Sequence, residues 1–389
     1  MTPRVAVVHP RLVAGGGSEA CALGMIKALQ DGHRVTLITM GRPDLEALNA
    51  NYGTGVDLAK LETRSLSIPP GLRKRFDALR GFRLARYCRR HAGDFEAMIS
   101  AYNVMDFGEP GIQRVADLSF DDGLRREFDF AGGAEESASH RASPWRSLYL
   151  GLARTLAGDR RGRWMRNRTI ANSNWTAGLL RDRFGLAAEV VYPPVAGGFP
   201  PVPWEEREEG FVVMGRLVPE KGIGAVVSIL AEVRKERPVH LHIVGRPGPG
   251  AFAREVEALG RRHADWVRLE GGMYGADKAA FLSRHKYGIS GRRAEPFGIA
   301  VAELVKAGCI VWAPDGGGQT EILAHPELVY AGPDDAAAKI RAVLADPARQ
   351  ARLRDHLRAR AGLFSAERFG REIRAIVEDF LEKKSAGAA

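Results

Sequence analysis

Two rhythms of apolar and polar positions alternate along the chain. Near the N-terminus "RVAVVHP" is a short β-branched run. A glycine-rich turn follows, then "SEACALGMIKALQDGH" with apolar residues at helical spacing, then the continuous run "RVTLITM". Run, periodic stretch and run together predict a β-α-β unit. Similar runs at "EAMISAY", "RTIANS" and "AEVVYPP" extend the series. The first half therefore reads as a doubly wound α/β domain with a mostly parallel sheet. Proline and glycine then cluster in "YPPVAGGFPPVPWEEREEG" and the periodicity stops, as in an interdomain linker. A second series begins at "FVVMGRL" and alternates with helical stretches through "VHLHIVG", "WVRLEG", "YGISG" and "CIVWAP". The tail "FSAERFGREIRAIVEDFLEKK" reads as a last helix. Expected boundaries are 1–194 and 210–365 for the two α/β domains, 195–209 for the linker and 366–389 for the final helix and tail. Open α/β sheets bind ligands at the carboxyl ends of their strands, so the site is expected in a cleft between the halves.

Length agrees with this division, since 389 residues suffice for two cores of ordinary size. No stretch approaches the roughly 20 apolar residues of a membrane span. The N-terminus offers only a five-residue strand-like run, so no signal peptide is expected and the cytoplasm is the expected location. Cys21, Cys88 and Cys309 are scattered, without zinc or disulfide spacing, and are expected to be small buried residues. The net charge of +10 favours anionic partners: a phosphorylated substrate, a membrane surface or a nucleic acid. Arginine concentrates in "LRKRFDALRGFRLARYCRR", from Leu72 to Arg90, and again in "RRGRWMRNR". Neither patch has the interleaved aromatics of a base-stacking surface, so no nucleic acid is expected, although Trp145 and Trp164 lie nearby. A solvated helix face accounts for the first patch equally well.

The candidate chemistry sits in the βα turns. "GRLVPEKG" puts Arg216 at a strand end and Lys221 at the start of the next helix, where a cation opposes the helix dipole by up to about 1 kcal/mol unless an anion is present. Together with the free amides of that helix the pair would hold a phosphate; as isolated surface cations they would hold nothing. In "EPFGIAVAE", Glu295 precedes an apolar helix and Glu303 interrupts it. With the helix starting near Phe297, both carboxylates lean toward its mouth and the amides of Phe297, Gly298 and Ile299 are unpaired, a combination suited to phosphates and several hydroxyls. The alternative puts Glu303 on a solvated stripe. In "AGGGSE", Gly16 and Gly17 leave room for another group and Ser18 can cap the helix, while Glu19 would repel a phosphate seated there; an ordinary tight turn fits as well. "GGGQTE" repeats that pattern, and "VGRPGPG" lacks the N–H groups of a phosphate loop at Pro247 and Pro249. No nicotinamide or flavin fingerprint occurs. With no D-x-D, no H-E-x-x-H and no Asp/His cluster at ligand spacing, the site is expected to need no metal and no cofactor. Asp117, Asp121 and Asp122 in "DLSFDDG" read more readily as turn residues than as ligands.

The order of these motifs resembles the family 4 retaining glycosyltransferases of the GT-B fold, in which two Rossmann-like domains face a central cleft. The resemblance covers most of the chain. It implies an N-terminal acceptor-binding domain, a C-terminal domain binding a nucleoside diphosphate sugar, and transfer with retention to a glycan or lipid-linked acceptor of lipopolysaccharide or polysaccharide type. Arg216 and Lys221 match the pair that holds the diphosphate and stabilises the leaving group. Glu295 matches the acid that binds hydroxyls of the transferred sugar, and Glu303 the one that binds the ribose. Phe297, Gly298 and Ile299 would offer amides to the donor, and Gly16 and Gly17 would line the opposite wall. The histidine that many members carry after "QRVADLSFDDG" is missing, which leaves Asp117, with Asp121 and Asp122 as alternatives, on the acceptor side. The basic patches would face an anionic membrane on its inner side. Competing readings are a GT-B enzyme acting on a small soluble acceptor, and a basic-surface binding protein with an inactive cleft.

Overall fold

The computed structural model describes residues 2–13, 16–67, 77–128, 145, 148–149, 151–152, 155, 162–195, 197–246 and 250–387. These residues form two compact units. One comprises the chain to Arg126, the part from 136 to Pro194 and the chain from Ala366 onward; the other comprises Val195–Ser365 with a short stretch from Glu127.

In the first unit, strands β1 (Arg4–His9), β2 (Arg34–Met40), β3 (Glu62–Leu66), β4 (Ala97–Ser100), β5 (Ile112–Val115), β6 (Arg168–Ala171) and β7 (Glu189–Val190) form a sheet of order β3-β2-β1-β4-β5-β6-β7. Every pairing is parallel. β1 is an apolar run because the sheet is covered on both faces; its Val5 and Val7 belong to one buried cluster, its Ala6 and Val8 to another. Helix α1 (Gly17–Leu29) packs on the first side together with the final helix, Ala366–Ala386, whose Phe369, Ile373, Ile376 and Val377 complete that cluster. Arg374 Nη1 donates to Ala28 O at 3.1 Å across this contact.

The second unit repeats the plan with β8 (Glu208–Met214), β9 (His240–Val244), β10 (Val267–Gly271), β11 (His285–Ile289), β12 (Ile310–Pro314) and β13 (Val329–Tyr330) in the order β10-β9-β8-β11-β12-β13, again all parallel. Both units are thus doubly wound Rossmann-like sheets. In each, the strand order reverses beside the first strand, where the loops on its two sides diverge and leave a crevice for a ligand. β8 and β11 flank that point in the second unit.

Candidate functional site

β8 ends at Met214 and the chain turns at Gly215 into Arg216, an exposed side chain, and Leu217, a buried one that anchors the loop. A 3-10 turn, Pro219–Lys221, leads to Gly222, which caps helix Ile223–Arg234. Gly222 has φ +62°, and a Cβ there would lie 2.6 Å from the carbonyl oxygen of Gly291. Close backbone approach therefore binds the loop after β8 to the loop after β11, with Lys221 beside the junction. Lys221 Nζ donates to Glu295 Oε2 at 2.6 Å. The anion that a cation at a helix start calls for is Glu295.

Glu295 is 15% exposed and sits among cations, with Arg292 Nη1 at 3.6 Å from Oε1. Burial alone would raise its carboxyl, but the attraction of Lys221 and Arg292, the Lys221 hydrogen bond and the nearby Arg216 outweigh that and hold it at about 2. Its backbone is fixed by the second glycine turn. Gly318 N donates to Glu295 O at 2.8 Å, and Gly317, at φ +75°, lies so close that a Cβ would come 2.4 Å from that oxygen. Fully buried Gln319 ties the same loop down, donating through Nε2 to Arg292 O at 2.5 Å and accepting from Ser290 Oγ at 3.0 Å. The "GGGQTE" turn is therefore a brace for Glu295.

The helix after Glu295 runs Ile299–Lys306 and starts two residues later than expected. Gly298, at φ +102°, caps it, and Ala302 N makes the first bond back, to Gly298 O at 3.0 Å. Helix geometry leaves the amides of Gly298, Ile299, Ala300 and Val301 without intrahelical partners, so Gly298 and Ile299 stay in the expected set while Phe297 precedes the helix. Phe297 is a buried anchor whose ring packs edge-on against Phe364. Val301, Ala302, Leu304 and Val305 are buried, and burying each larger aliphatic side chain stabilises by roughly 1.5–3 kcal/mol. Glu303 does not lie on a solvated stripe. It is 13% exposed, and Lys278 Nζ, from helix Gly275–Ser283, donates to its Oε1 at 2.7 Å. Lys221, Glu295, Gly291, Gly298 and Ala300 line one small cavity.

Lys278 and Arg292 are site residues that the sequence reading missed. Arg292 carried a signal, being three residues from Glu295, whereas no local pattern connects 278 with 303. No Asp/His cluster stands at ligand spacing along the sequence, yet the strands of this unit bring Glu208, His240, His242 and His285 together.

The remaining candidates lie in the first unit. Gly16, not Ser18, caps α1, with extended φ −126°; its N–H donates to Tyr52 Oη at 3.1 Å and its carbonyl accepts from that hydroxyl at 2.8 Å. Glu19 folds over Gly16, with Oε2 2.3 Å from where a Cβ would be, and Gly17 opens the helix. Ala14 and Gly15 of this turn, Pro247–Pro249, and Leu72–Phe76, Arg160 and Arg161 of the basic patches lie outside the described residues. Asp117 accepts from Tyr102 Oη and Asn103 Nδ2, both at 2.7 Å, and Asn103 holds the left-handed φ of 58° that aims its amide there. Asp121 caps the short helix Asp122–Phe128 through Leu124 N at 2.9 Å, and Asp122 opens that helix. In the second basic patch Trp164 packs edge-on against Phe120 and Phe184, and Arg168 is bound to Glu189 and Asp379, so both side chains brace the fold. The described part of the first patch is helix Asp77–Arg90, which buries Leu84, Ala85 and Cys88 and exposes Arg83, Arg86 and Arg90.

Two Rossmann-like units, the second with paired cations and carboxylates at its strand ends, define the GT-B class of glycosyltransferase folds. Residues 199–360 match the family model described as glycosyl transferases group 1. Arg216, Lys221, Glu295 and Glu303 all fall within the matched residues. Three solved structures show the likeness of fold. Anabaena Alr3699/HepE in complex with UDP and glucose is 16% identical, with a TM-score of 0.68 over 97% of this chain and 100% of that one. Sucrose-phosphate synthase from Thermosynechococcus elongatus is 19% identical, with a TM-score of 0.71 over 98% and 100%. WaaG, a glycosyltransferase involved in lipopolysaccharide biosynthesis, is 15% identical, with a TM-score of 0.66 over 95% and 99%. No curated protein matches the chain in sequence. No helix among the described residues is long and apolar enough to cross a membrane.

Proposed function

We propose that the protein is a retaining glycosyltransferase of the family 4 type that moves a sugar from a nucleoside diphosphate sugar to a glycan or lipid-linked acceptor. The observation that carries this reading is the Lys221–Glu295 contact of 2.6 Å beside Arg216, Arg292 and the start of a helix. Glu295, held ionised, accepts from hydroxyls of the transferred sugar. Arg216, Lys221 and the first-turn amides meet the diphosphate. As the anomeric bond breaks, negative charge grows on the departing phosphate, and fixed cations and amides stabilise it without having to reorganise. Side chains supply the compensating charge, so the reaction needs no metal. Glu303, held through Oε1 by Lys278, keeps Oε2 for the ribose. Retention rests on the motif resemblance. Support for a sugar nucleotide also comes from HepE, a fold neighbour solved with UDP and glucose.

A thermal-shift panel of nucleotide-sugars tests the donor. The matching one, at 100 times its dissociation constant, should stabilise the protein by about 2.7 kcal/mol. A flat response across the panel would sink the proposal.

The lipid-linked acceptor is supported by the exposed arginines of helix Asp77–Arg90 and by exposed Trp145, Leu148 and Leu152. Tyr149, within that apolar stretch, accepts through Oη from Leu79 N at 3.1 Å. On this reading the surface meets an anionic membrane on its cytoplasmic side. Replacing Arg83, Arg86 and Arg90 by Gln should weaken co-sedimentation with phosphatidylserine vesicles about a hundredfold, at about 1 kcal/mol per arginine. Equal binding by the variant, or equal binding of the wild type to neutral vesicles, would leave a soluble glycan or sugar phosphate as the acceptor.

A further inference from the structure

The second unit carries another constellation at the opposite ends of the same strands. Glu208 opens β8, His240 opens β9 and His285 opens β11, and these three strands are neighbours. His242, two residues after His240, lies on the same face of β9. The register sets Glu208 beside His285 and Gly210 beside His240. One donor atom from each of Glu208, His240, His242 and His285 lies within 4.8 Å of all the others. Gly210 keeps the centre open, since a Cβ there would come 2.4 Å from His240 Nε2 and 2.9 Å from His285 Cδ2.

Two imidazoles are already oriented by their outer nitrogens. His242 Nδ1 donates to Glu270 Oε1 and His285 Nδ1 to Phe281 O, each at 2.7 Å. Their Nε2 atoms are buried in side chains only 3% and 1% exposed, and they have no partner. A proton on either Nε2 would be buried without an acceptor, so both present lone pairs to the cluster. An Nδ1–H held by a carboxylate or backbone carbonyl, with Nε2 turned to a shared centre, is how metal-ligating histidines are oriented.

We propose that Glu208, His240, His242 and His285 bind one divalent transition ion of the zinc class and pin together the N-terminal ends of β8, β9 and β11. Imidazole and carboxylate donors suit zinc, and four protein ligands close a tetrahedral site, which is structural in character. At zinc–nitrogen distances of about 2.0 Å, tetrahedral donors lie about 3.3 Å apart. Glu208 Oε2 is 3.5 Å from His240 Nε2 and 3.7 Å from His285 Nε2, so small side-chain rotations complete the geometry.

Titrating the untagged, chelator-treated full chain with Co²⁺ tests the site. One equivalent should bind with the visible absorption of a tetrahedral ion, and Zn²⁺ should displace it. His240→Ala and Glu208→Gln, changes at the accessible rim, should abolish that spectrum. Glu270→Gln should weaken affinity about 10- to 100-fold at unchanged stoichiometry. Absence of Co²⁺ and Zn²⁺ binding by the wild type would overturn the proposal, as would binding unchanged in His240→Ala, which would put the ion elsewhere, for instance at the His325–His356 pair.

Discussion

Glu295→Ala is expected to lower the stability of the second unit by about 3–5 kcal/mol, the typical cost of removing one partner from a buried ion pair. Lys221 and Arg292 both point at Glu295, and the carboxylate is what makes their burial tolerable. Without it, two largely buried cations repel each other beside a helix start, where the dipole opposes positive charge as well. Urea unfolding monitored by tryptophan fluorescence measures the loss, and a change below about 1 kcal/mol would mean that water already neutralises the cluster. Acid should reveal the same carboxylate. Its folded value, about 2, lies below the ordinary 4.5, so its stabilisation is complete above the ordinary value and disappears as pH falls through the folded one. The stability difference between wild type and Glu295→Gln should therefore be flat at neutral pH and shrink between 4.5 and 2.

How much of this was legible in the sequence depends on how far each signal is local. β1, β2, β8, β9 and β12 could be read because strands covered on both faces are nearly continuous apolar runs. β3, "ETRSL", could not, because at the sheet edge it is half exposed and carries no such run. Helix Pro347–Ala361 was missed for a related reason: Asp346 caps it and a proline opens it, but only Gln350, Leu353 and Leu357 of its fifteen residues are buried. Arg216, Lys221 and Glu295 were legible as candidates because each sits near a glycine turn at a strand end. The start of the helix after Glu295 was misplaced because Gly298, in a left-handed conformation, sets it. Lys278 and the Glu208–His285 cluster were beyond reach. Their partners come from separate strands and helices, and only the sheet order places them side by side.

Lys221→Ala is expected to reduce the transfer rate by about 10²- to 10³-fold, the usual cost of deleting one preorganised group that stabilises developing charge. The effect on stability should be smaller than for Glu295→Ala. Arg292 at 3.6 Å and the attraction of Arg216 remain, so the carboxylate keeps cationic company. The rate suffers more because the diphosphate, already anionic when bound, gains its further negative charge only as the sugar bond breaks. A cation placed for that moment lowers the transition state more than the bound ground state, so the loss should fall on kcat while KM for the donor moves little. Lys221→Arg should not restore the rate. Lys221 Nζ meets Glu295 as a compact point charge at 2.6 Å, and a planar guanidinium with its fixed fork of donors does not reproduce that contact. Steady-state kinetics on the donor identified by thermal shift separates the possibilities. A raised KM at unchanged kcat would make Lys221 a binding residue only. Unchanged values of both would remove it from the donor site, and the leaving-group mechanism with it.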